Sequence, residues 1–324
     1  MLFLVLLSPG IPEYLTGSST WTYLVVDPGL FFLLLALNLG LYGPGVLLMR
    51  EVFVRGRKGW AAILCLGSAY GLLEEGTALS TIFNPHSGVL FGGLGSFGHW
   101  GGVNWLWVIV ALELHVVLSI GVPILLFGLA LPEMRWTSLL DRRDATITVG
   151  VFVADIAVSA FLIGYFRVGL AWQLGALAVA AALIVLAYRL PRTVLQPTSE
   201  RPRWGPWSFF ALGLLWFPNL FFVLAPPELR FLGAPGVGVV EILTSSVLFL
   251  AVRHGIGRTD NARQLLLLAL GLITPLAVLG LLTQLFLPIV LVEDVVVGLF
   301  FYALGQRYRL APVRSPVATP AVPP

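Results

Sequence analysis

The chain has 324 residues, of which 58% are hydrophobic and 11% are charged, and its mean hydropathy is +0.94. Because soluble domains carry about 25% charged residues, this composition excludes a soluble protein and, with it, a domain outside the membrane that binds nucleotides or nucleic acid. The formal net charge is +3. We expect the lipid bilayer as partner, and we expect neither nucleic acid nor nucleotide to bind. The sequence does not identify a substrate.

Nine apolar runs follow one another along the chain, each close to the roughly 20 residues that a helix needs to cross a membrane. They cover residues 29–49, 60–83, 103–131, 146–166, 170–190, 207–224, 236–252, 264–282 and 286–304. We therefore predict an all-α polytopic transmembrane helix bundle of about nine spans. A tenth span would require residues 1–15 to cross as well.

The ends of the chain differ from the predicted membrane domain of residues 29–310. Residues 1–28 begin with an apolar run that is too short to span and is interrupted by Pro9 and Pro12, so we expect a half-span followed by an outer segment. Residues 311–324 are rich in Pro, Ala and Val and predict a disordered tail. Cys65 is the only cysteine, which excludes an intramolecular disulfide.

Basic residues collect in alternate connections, as the positive-inside rule requires for short cytoplasmic loops. Five clusters hold 17 of the 19 basic residues: Arg50, Arg55, Arg57 and Lys58; Arg135, Arg142 and Arg143; Arg189, Arg192, Arg201 and Arg203; Arg253, Arg258 and Arg263; Arg307, Arg309 and Arg314. The opposite connections hold Arg167 and Arg230. This alternation predicts a multi-pass protein of the cell membrane with a cytoplasmic C-terminus.

Seven carboxylic acids fall inside the predicted spans, where each costs about 2.5 to 3.5 kcal/mol on insertion scales. They are Glu74, Glu75, Glu113, Asp155, Glu241, Glu293 and Asp294. Apart from Arg189 at the end of the fifth run, no Lys or Arg falls inside a predicted span to pair with them, so we expect these acids to be protonated, hydrogen-bonded or bound to a cation. Counted along the helices, several of them share one layer in the outer half of the membrane.

The second and third predicted spans carry the strongest local pattern. Gly67 and Gly71 form a small-xxx-small face that allows another helix to come close. Because Glu113 and His115 are two residues apart, they point to opposite sides of their helix. We therefore expect His115 to pair with Glu75, and Glu113 to face another helix.

The outer connection, residues 84–102, is rich in glycine and contains further polar candidates. These are Asn84, His86 and His99, with Asn104 just after the connection. The segment lacks the lysine of a phosphate-binding loop and follows no strand, which excludes nucleotide binding. Two alternatives remain open: a re-entrant or lid-like segment above the acidic layer, or a flexible loop with an aromatic belt.

Three classes of function fit these residues. A membrane hydrolase would use Glu74, Glu75 and His115 as catalytic residues, with a divalent cation as an alternative occupant at Glu75 and His115. A proton- or cation-coupled transporter would use a relay built from the acids, namely Glu113, Asp155, Glu241, Glu293 and Asp294. In a non-catalytic membrane scaffold, the same acids would only join helices.

The Glu74–Glu75 pair in a membrane helix, followed by His115 in the next helix, resembles the CPBP family of intramembrane proteases, the CAAX-processing and bacteriocin-processing proteins. That family uses a Glu pair in an EExxxR motif and a later His in an HxxxN motif to activate water for peptide hydrolysis. Here Leu79 stands at the position of the Arg and Ser119 at that of the Asn. The stretch GLLEEG also resembles prokaryotic multi-pass membrane proteins for which the resemblance implies no chemistry.

Overall fold

The computed structural model describes residues 1–87, 96–163, 166, 168–223, 231–284 and 287–310, with only the backbone described at 221–223, 309 and 310. Several predictions lie outside these residues: the tail at 311–324, most of the glycines of the outer connection, and the cations Arg167 and Arg230. The described chain is a helical bundle with one short hairpin.

The bundle contains twelve α-helices within the described residues, some of them continued by π-helical turns. They are α1 Leu2–Pro9, α2 Thr22–Val26, α3 Pro28–Arg55, α4 Trp60–Gly71, α5 Trp105–Leu114, α6 Val122–Ala130, α7 Arg142–Leu162, α8 Leu170–Arg189, α9 Pro206–Val223, α10 Gly233–Gly255, α11 Ala262–Thr283 and α12 Pro288–Leu310. A hairpin of β1 His99–Trp100 and β2 Val103–Asn104 precedes α5. An all-α polytopic bundle is therefore correct.

Seven helices of the described chain are long and apolar enough to cross a membrane: α3, the continuous unit Trp105–Ala130, α7, α8, α10, α11 and α12. The predicted count of about nine also included the second and sixth runs. In those runs α4 passes into a π-helical segment carrying two carboxylic acids, and the described part of α9 ends at Val223, with only the backbone described from 221. By length and composition the structure thus supports seven spans, two fewer than the sequence predicts.

Side-chain caps fix where several helices begin, because they satisfy backbone N–H groups that have no partner within the helix. Asp27 accepts a hydrogen bond from the Leu30 backbone N–H at 3.0 Å, Asn104 from that of Trp107 at 3.0 Å, and Asp141 from that of Asp144 at 2.7 Å. The α7 helix therefore begins at Arg142, four residues before the apolar run.

The first long helix extends to Arg55, beyond the predicted end at residue 49. Arg50 was predicted to lie in a connection, and this prediction is wrong: its side chain is buried within α3, where it donates to the carbonyls of Met134 at 2.6 Å and Thr137 at 3.0 Å. Its guanidinium also lies 4.6 Å from the centre of the Phe127 ring. These neutral acceptors, together with the adjacent Glu51, compensate the buried cation.

The N-terminal apolar segment forms a short helix, Leu2–Tyr14, which is too short to span by itself. It lies within the bundle, because Leu4 and Ser8 are fully buried and the Ser8 hydroxyl donates to the Ser119 carbonyl at 2.7 Å. The segment therefore reaches the helix that carries His115.

The basic connections meet at one end of the bundle, which we call the basic end. Lys58 donates to the Leu190 carbonyl at 3.2 Å, Arg253 to the Gln196 carbonyl at 3.0 Å, and Arg307 to the Ala130 carbonyl at 2.6 Å. The Arg192 guanidinium also lies 5.2 Å from the centre of the Trp136 ring. Together these contacts join the connections after α3, α6, α8 and α10 and the end of α12. The core lies between the ends of the bundle, in two apolar clusters centred on α5, α6, α9 and α11 and on α3 and α4.

Candidate functional site

Glu74, Glu75 and His115 lie together in the interior of the bundle. His115 Nδ1 is 3.4 Å from Glu74 Oε2, and His115 Nε2 is 3.3 Å from Glu75 Oε1. One ligand atom from each of the three residues lies within 4.8 Å of the others. All three side chains are buried, and Glu75 is the most exposed of them at 11%. The imidazole therefore sits between the two carboxyl groups.

Two π-helical segments place these three side chains. Glu74 and Glu75 lie in the segment Leu72–Ala78, which continues α4, and His115 begins the segment His115–Gly121 between α5 and α6. A π-helical turn widens the helix, and such turns occur frequently at functional sites. Residue spacing in a regular α-helix, on which the sequence predictions rest, predicts neither segment.

Glycines allow the two segments to approach each other. A Cβ added at Gly67 would lie 2.6 Å from Val116 Cα, and one added at Gly71 would lie 3.1 Å from His115 Cδ2. The predicted small-xxx-small face is therefore present, and it contacts the helix that carries His115. Because glycine has no side chain, the two helices lie close enough for the His115 ring to contact the carboxyl groups of Glu74 and Glu75.

Neighbouring polar groups hold the carboxylate and the imidazole in place. The Thr81 hydroxyl donates to Glu75 Oε2, and Trp107 Nε1 donates to Thr81 Oγ1 at 3.0 Å and to Glu75 Oε2 at 3.3 Å. On the other side, His115 Nδ1 is 2.9 Å from the Ser119 hydroxyl. Ser119 follows His115 by four residues and therefore lies on the same face of the helix, whereas contacts of Thr81 and Trp107 with Glu75 were not predicted from the sequence.

Two tyrosines and a further acid extend this polar group toward the N-terminal segment. The rings of Tyr42 and Tyr70 lie 6.2 Å and 5.4 Å from the His115 ring. The Tyr42 hydroxyl donates to Glu13 at 2.6 Å. Glu13 was not predicted as a site residue, because the segment that carries it is too short to be counted as a span. The signal in the sequence was an acidic residue beside an apolar run interrupted by prolines.

Glu113 lies in a second polar group, away from His115. Its Oε1 accepts from Trp216 Nε1 at 2.6 Å and from the Ser245 hydroxyl at 2.6 Å. Asn219 joins this group by donating to Glu241 Oε1 at 3.1 Å and to Ser245 at 2.8 Å. Glu113 therefore faces α9 and α10, the orientation expected from its spacing to His115.

The other proposed relay acids lie in separate groups. Asp155 is 3.4 Å from the Ser159 hydroxyl on its own helix, and Glu293 accepts from Trp21 Nε1 at 2.7 Å. Asp294 Oδ1 is buried without a hydrogen bond among the described residues. Hydrogen bonds in the described chain thus do not connect the relay candidates into one continuous path.

The outer-connection candidates have local structural contacts. Asn84 Oδ1 accepts from the His86 backbone N–H at 2.9 Å, and the His86 side chain is exposed. His99 Nε2 is 3.2 Å from the Phe83 carbonyl, and Asn104 caps α5. Of the loop predicted to lie above the acids, only residues 84–87 and 96–102 are described.

A family model described as an uncharacterized membrane protein family matches residues 2–232. The chain belongs to this family. The matched region includes Glu74, Glu75, His115 and the side chains that hold them, and it ends before Glu241 and Glu293. No curated protein and no solved structure matches the chain.

Within this family member, the site combines two carboxyl groups and an imidazole in a buried, protein-lined position. A carboxylate held beside an imidazole can take a proton from water, and two carboxylates with one imidazole can bind a divalent cation. The Thr81 hydroxyl and the Trp107 indole are hydrogen-bonded to Glu75, and the Ser119 hydroxyl is hydrogen-bonded to His115. The arrangement can therefore support either acid–base chemistry or cation binding.

Proposed function

We propose that this membrane protein is an intramembrane hydrolase that activates water at Glu74, Glu75 and His115. The observation that carries the proposal is the position of the His115 ring, within 3.4 Å of both carboxyl groups. Glu75 would act as general base, taking a proton from water while the oxygen attacks a carbonyl carbon. His115 would stabilise the resulting oxyanion and donate a proton to the leaving amine as the C–N bond breaks, and Glu75 would return its proton to His115, 3.3 Å away.

The resemblance to the CPBP family supports the same roles. The Glu pair and the later His of that family correspond to Glu74, Glu75 and His115. Ser119 occupies the position of the family's Asn and is hydrogen-bonded to His115, so a polar neighbour is retained there. Leu79 replaces the Arg, and we propose that His115 balances the charge of the Glu pair in its place.

A divalent cation fits the same three side chains, because one oxygen from each carboxyl group and one imidazole nitrogen lie within 4.8 Å of one another. Two carboxylates and one imidazole leave coordination positions open, as in catalytic rather than structural metal sites. A bound cation would lower the pKa of a water molecule there. Metal analysis of the purified chain tests this; equal metal content in the wild type and in Glu75→Gln would contradict it.

We propose a membrane topology with nine crossings. Seven of them are the helices that are long and apolar enough to cross a membrane. The other two are α9 and α4 with its π-helical continuation. The meeting of five basic clusters at one end supports this count, because consecutive clusters must then be separated by two crossings. The basic end and the C-terminus would face the cytoplasm, in the plasma membrane. The site would lie in the outer half.

Proton- or cation-coupled transport is a second candidate, and the observation that favours it is the pairing of Glu113 and Glu241 through Ser245. A relay would also need Asp155 and Glu293, which lie in other groups. Hydrolysis needs only the helices around His115. For this reason we place hydrolysis first, and a scaffold role would follow only if neither activity were found.

The test is cleavage of single-span membrane peptides in proteoliposomes that contain the purified chain. Product formation is followed by mass spectrometry for the wild type, for Glu75→Gln and for Glu113→Gln. We expect Glu75→Gln to lower the rate at least about 100-fold, the usual contribution of a general base, and Glu113→Gln to retain activity. Equal rates for Glu75→Gln and the wild type would overturn the proposal.

A further inference from the structure

A cavity of about 850 Å³ lies between α4 and the Trp105–Ala130 unit on one side and α9, α10 and α11 on the other. It extends from Glu113 to the basic end, and along the Trp105–Ala130 unit its lining from Leu112 to Leu125 covers about 20 Å at 1.5 Å per helical residue. Its volume falls within the range of about 300 to 1,000 Å³ that is typical of ligand sites. It is separate from the His115 site, because Glu113 and His115 face opposite sides of their helix.

The walls of the cavity are apolar along most of this length. Leu64, Leu125, Leu212 and Leu268 line it, and Leu64 and Leu268 are only half-buried although they point into the bundle. At the inner end, the carboxyl oxygen of Glu113 is already bonded to Trp216 and Ser245. The apolar walls therefore provide few free hydrogen-bonding groups for a polar ligand and are suited to a hydrocarbon chain.

The mouth of the cavity is strongly basic. Five cations from four different connections line it: Lys58, Arg135, Arg192, Arg253 and Arg258. In the described part of the chain, Lys58 and Arg253 donate to neutral backbone carbonyls. Arg258 has a carboxylate 3.9 Å away, on the exposed side chain of Glu200. The positive charge at the mouth is therefore largely uncompensated by the protein.

Two of these cations stack on one indole ring. The guanidinium carbons of Arg135 and Arg192 lie 5.6 Å and 5.2 Å from the centre of the Trp136 ring. Two like charges held against one ring favour a bound anion between or beside them.

We propose that this cavity binds an anionic phospholipid, with its phosphate among Arg135, Arg192, Arg253 and Arg258 and one acyl chain along the apolar walls. Basic pockets between membrane helices on the cytoplasmic side are suited to phosphate head groups. A phospholipid has both required parts, an anionic head group at the membrane surface and a chain that extends into the bundle. This proposal does not depend on the hydrolase proposal.

The test measures binding of dioleoyl phosphatidylglycerol to the full-length chain in detergent by native mass spectrometry. We expect Arg192→Gln combined with Arg258→Gln to weaken binding about 30-fold, the effect of two cations near a membrane surface. Both side chains are exposed, so folding is preserved. Leu64→Trp, which fills the apolar wall, should also weaken binding.

The matched control is Arg142→Gln combined with Arg143→Gln. These exposed cations lie near the same end, but neither lines the cavity. The proposal expects this control to bind as the wild type does, and dioleoyl phosphatidylcholine to bind at least 10-fold more weakly than phosphatidylglycerol. Equal weakening in the two double variants, or unchanged binding in Leu64→Trp, would overturn it.

Discussion

At the scale of single residues, the imidazole of His115 lies between two buried carboxyl groups and compensates their close approach. It lies within 3.4 Å of both Glu74 and Glu75 and is itself held by Ser119. Within the described residues, no Lys or Arg forms an ion pair with either of these acids. His115 therefore has a structural role as well as the proposed catalytic one.

Replacing His115 with Leu should destabilise the protein by about 3 kcal/mol, because removing one member of a buried pair leaves its partners uncompensated. The expected result is a clear fall in unfolding temperature in detergent. His254→Leu is the control: this histidine is exposed at the basic end, and surface substitutions usually stay within about 0.5 kcal/mol. Equal unfolding temperatures for the two variants would contradict this account.

Residue spacing alone predicted part of the site. Because helical direction follows from sequence separation, the sequence placed Glu75 with His115 and directed Glu113 to another helix, and the structure has both arrangements. Glu13 and Trp107 could not be assigned in this way. Glu13 lies on a short N-terminal segment, and Trp107 lies about two turns before His115 on the same helix. A single sequence does not show which neighbouring helix either side chain contacts.

At the scale of elements, two π-helical segments and the glycines beside them form the site. The sequence predicted the close helix contact at Gly67 and Gly71. It extended the second span to residue 83, whereas the π-helical segment ends at Ala78 and a turn follows, with Ser80 at φ 58°. Hydropathy does not detect this change, because the residues on both sides of the turn are apolar.

Gly67→Ala should cost about 1 to 3 kcal/mol and reduce cleavage, because the added methyl group would clash with the Val116 backbone and displace His115. Thermal unfolding and peptide cleavage are the measurements. Gly150→Ala on α7 is the matched control, since a Cβ there meets no atom within 4 Å and alanine favours the helix. Equal unfolding temperatures and equal cleavage rates for Gly67→Ala and Gly150→Ala would contradict this role of Gly67.

At the scale of the whole molecule, the alternation of basic connections predicted which helix ends lie together. The structure places these connections at one end, and it places Trp21, Glu293 and Gln284 in contact elsewhere. The sequence did not predict the arrangement of helices around the cavity. That arrangement depends on which helices pack side by side, and the charges of the connections do not predict helix neighbours.

Single cysteines test the proposed orientation. In a Cys65→Ala background, cysteine at Ser18 or Trp100 should react with a membrane-impermeant maleimide in intact cells, and cysteine at Arg142 or His254 should react only after lysis. All four side chains are exposed, so burial does not decide the outcome. Labelling of His254→Cys from outside would reverse the proposed orientation.

The measurement that tests the central claim most directly is cleavage in water enriched in ¹⁸O. If Glu75 activates water for hydrolysis, each new carboxyl group released by the wild type carries one ¹⁸O atom, and Glu75→Gln yields at most about 1% of that labelled product. Glu113→Gln should give labelled product as the wild type does. Product that carries no ¹⁸O, or labelled product formed equally by Glu75→Gln, would contradict the assignment of this chain as a hydrolase.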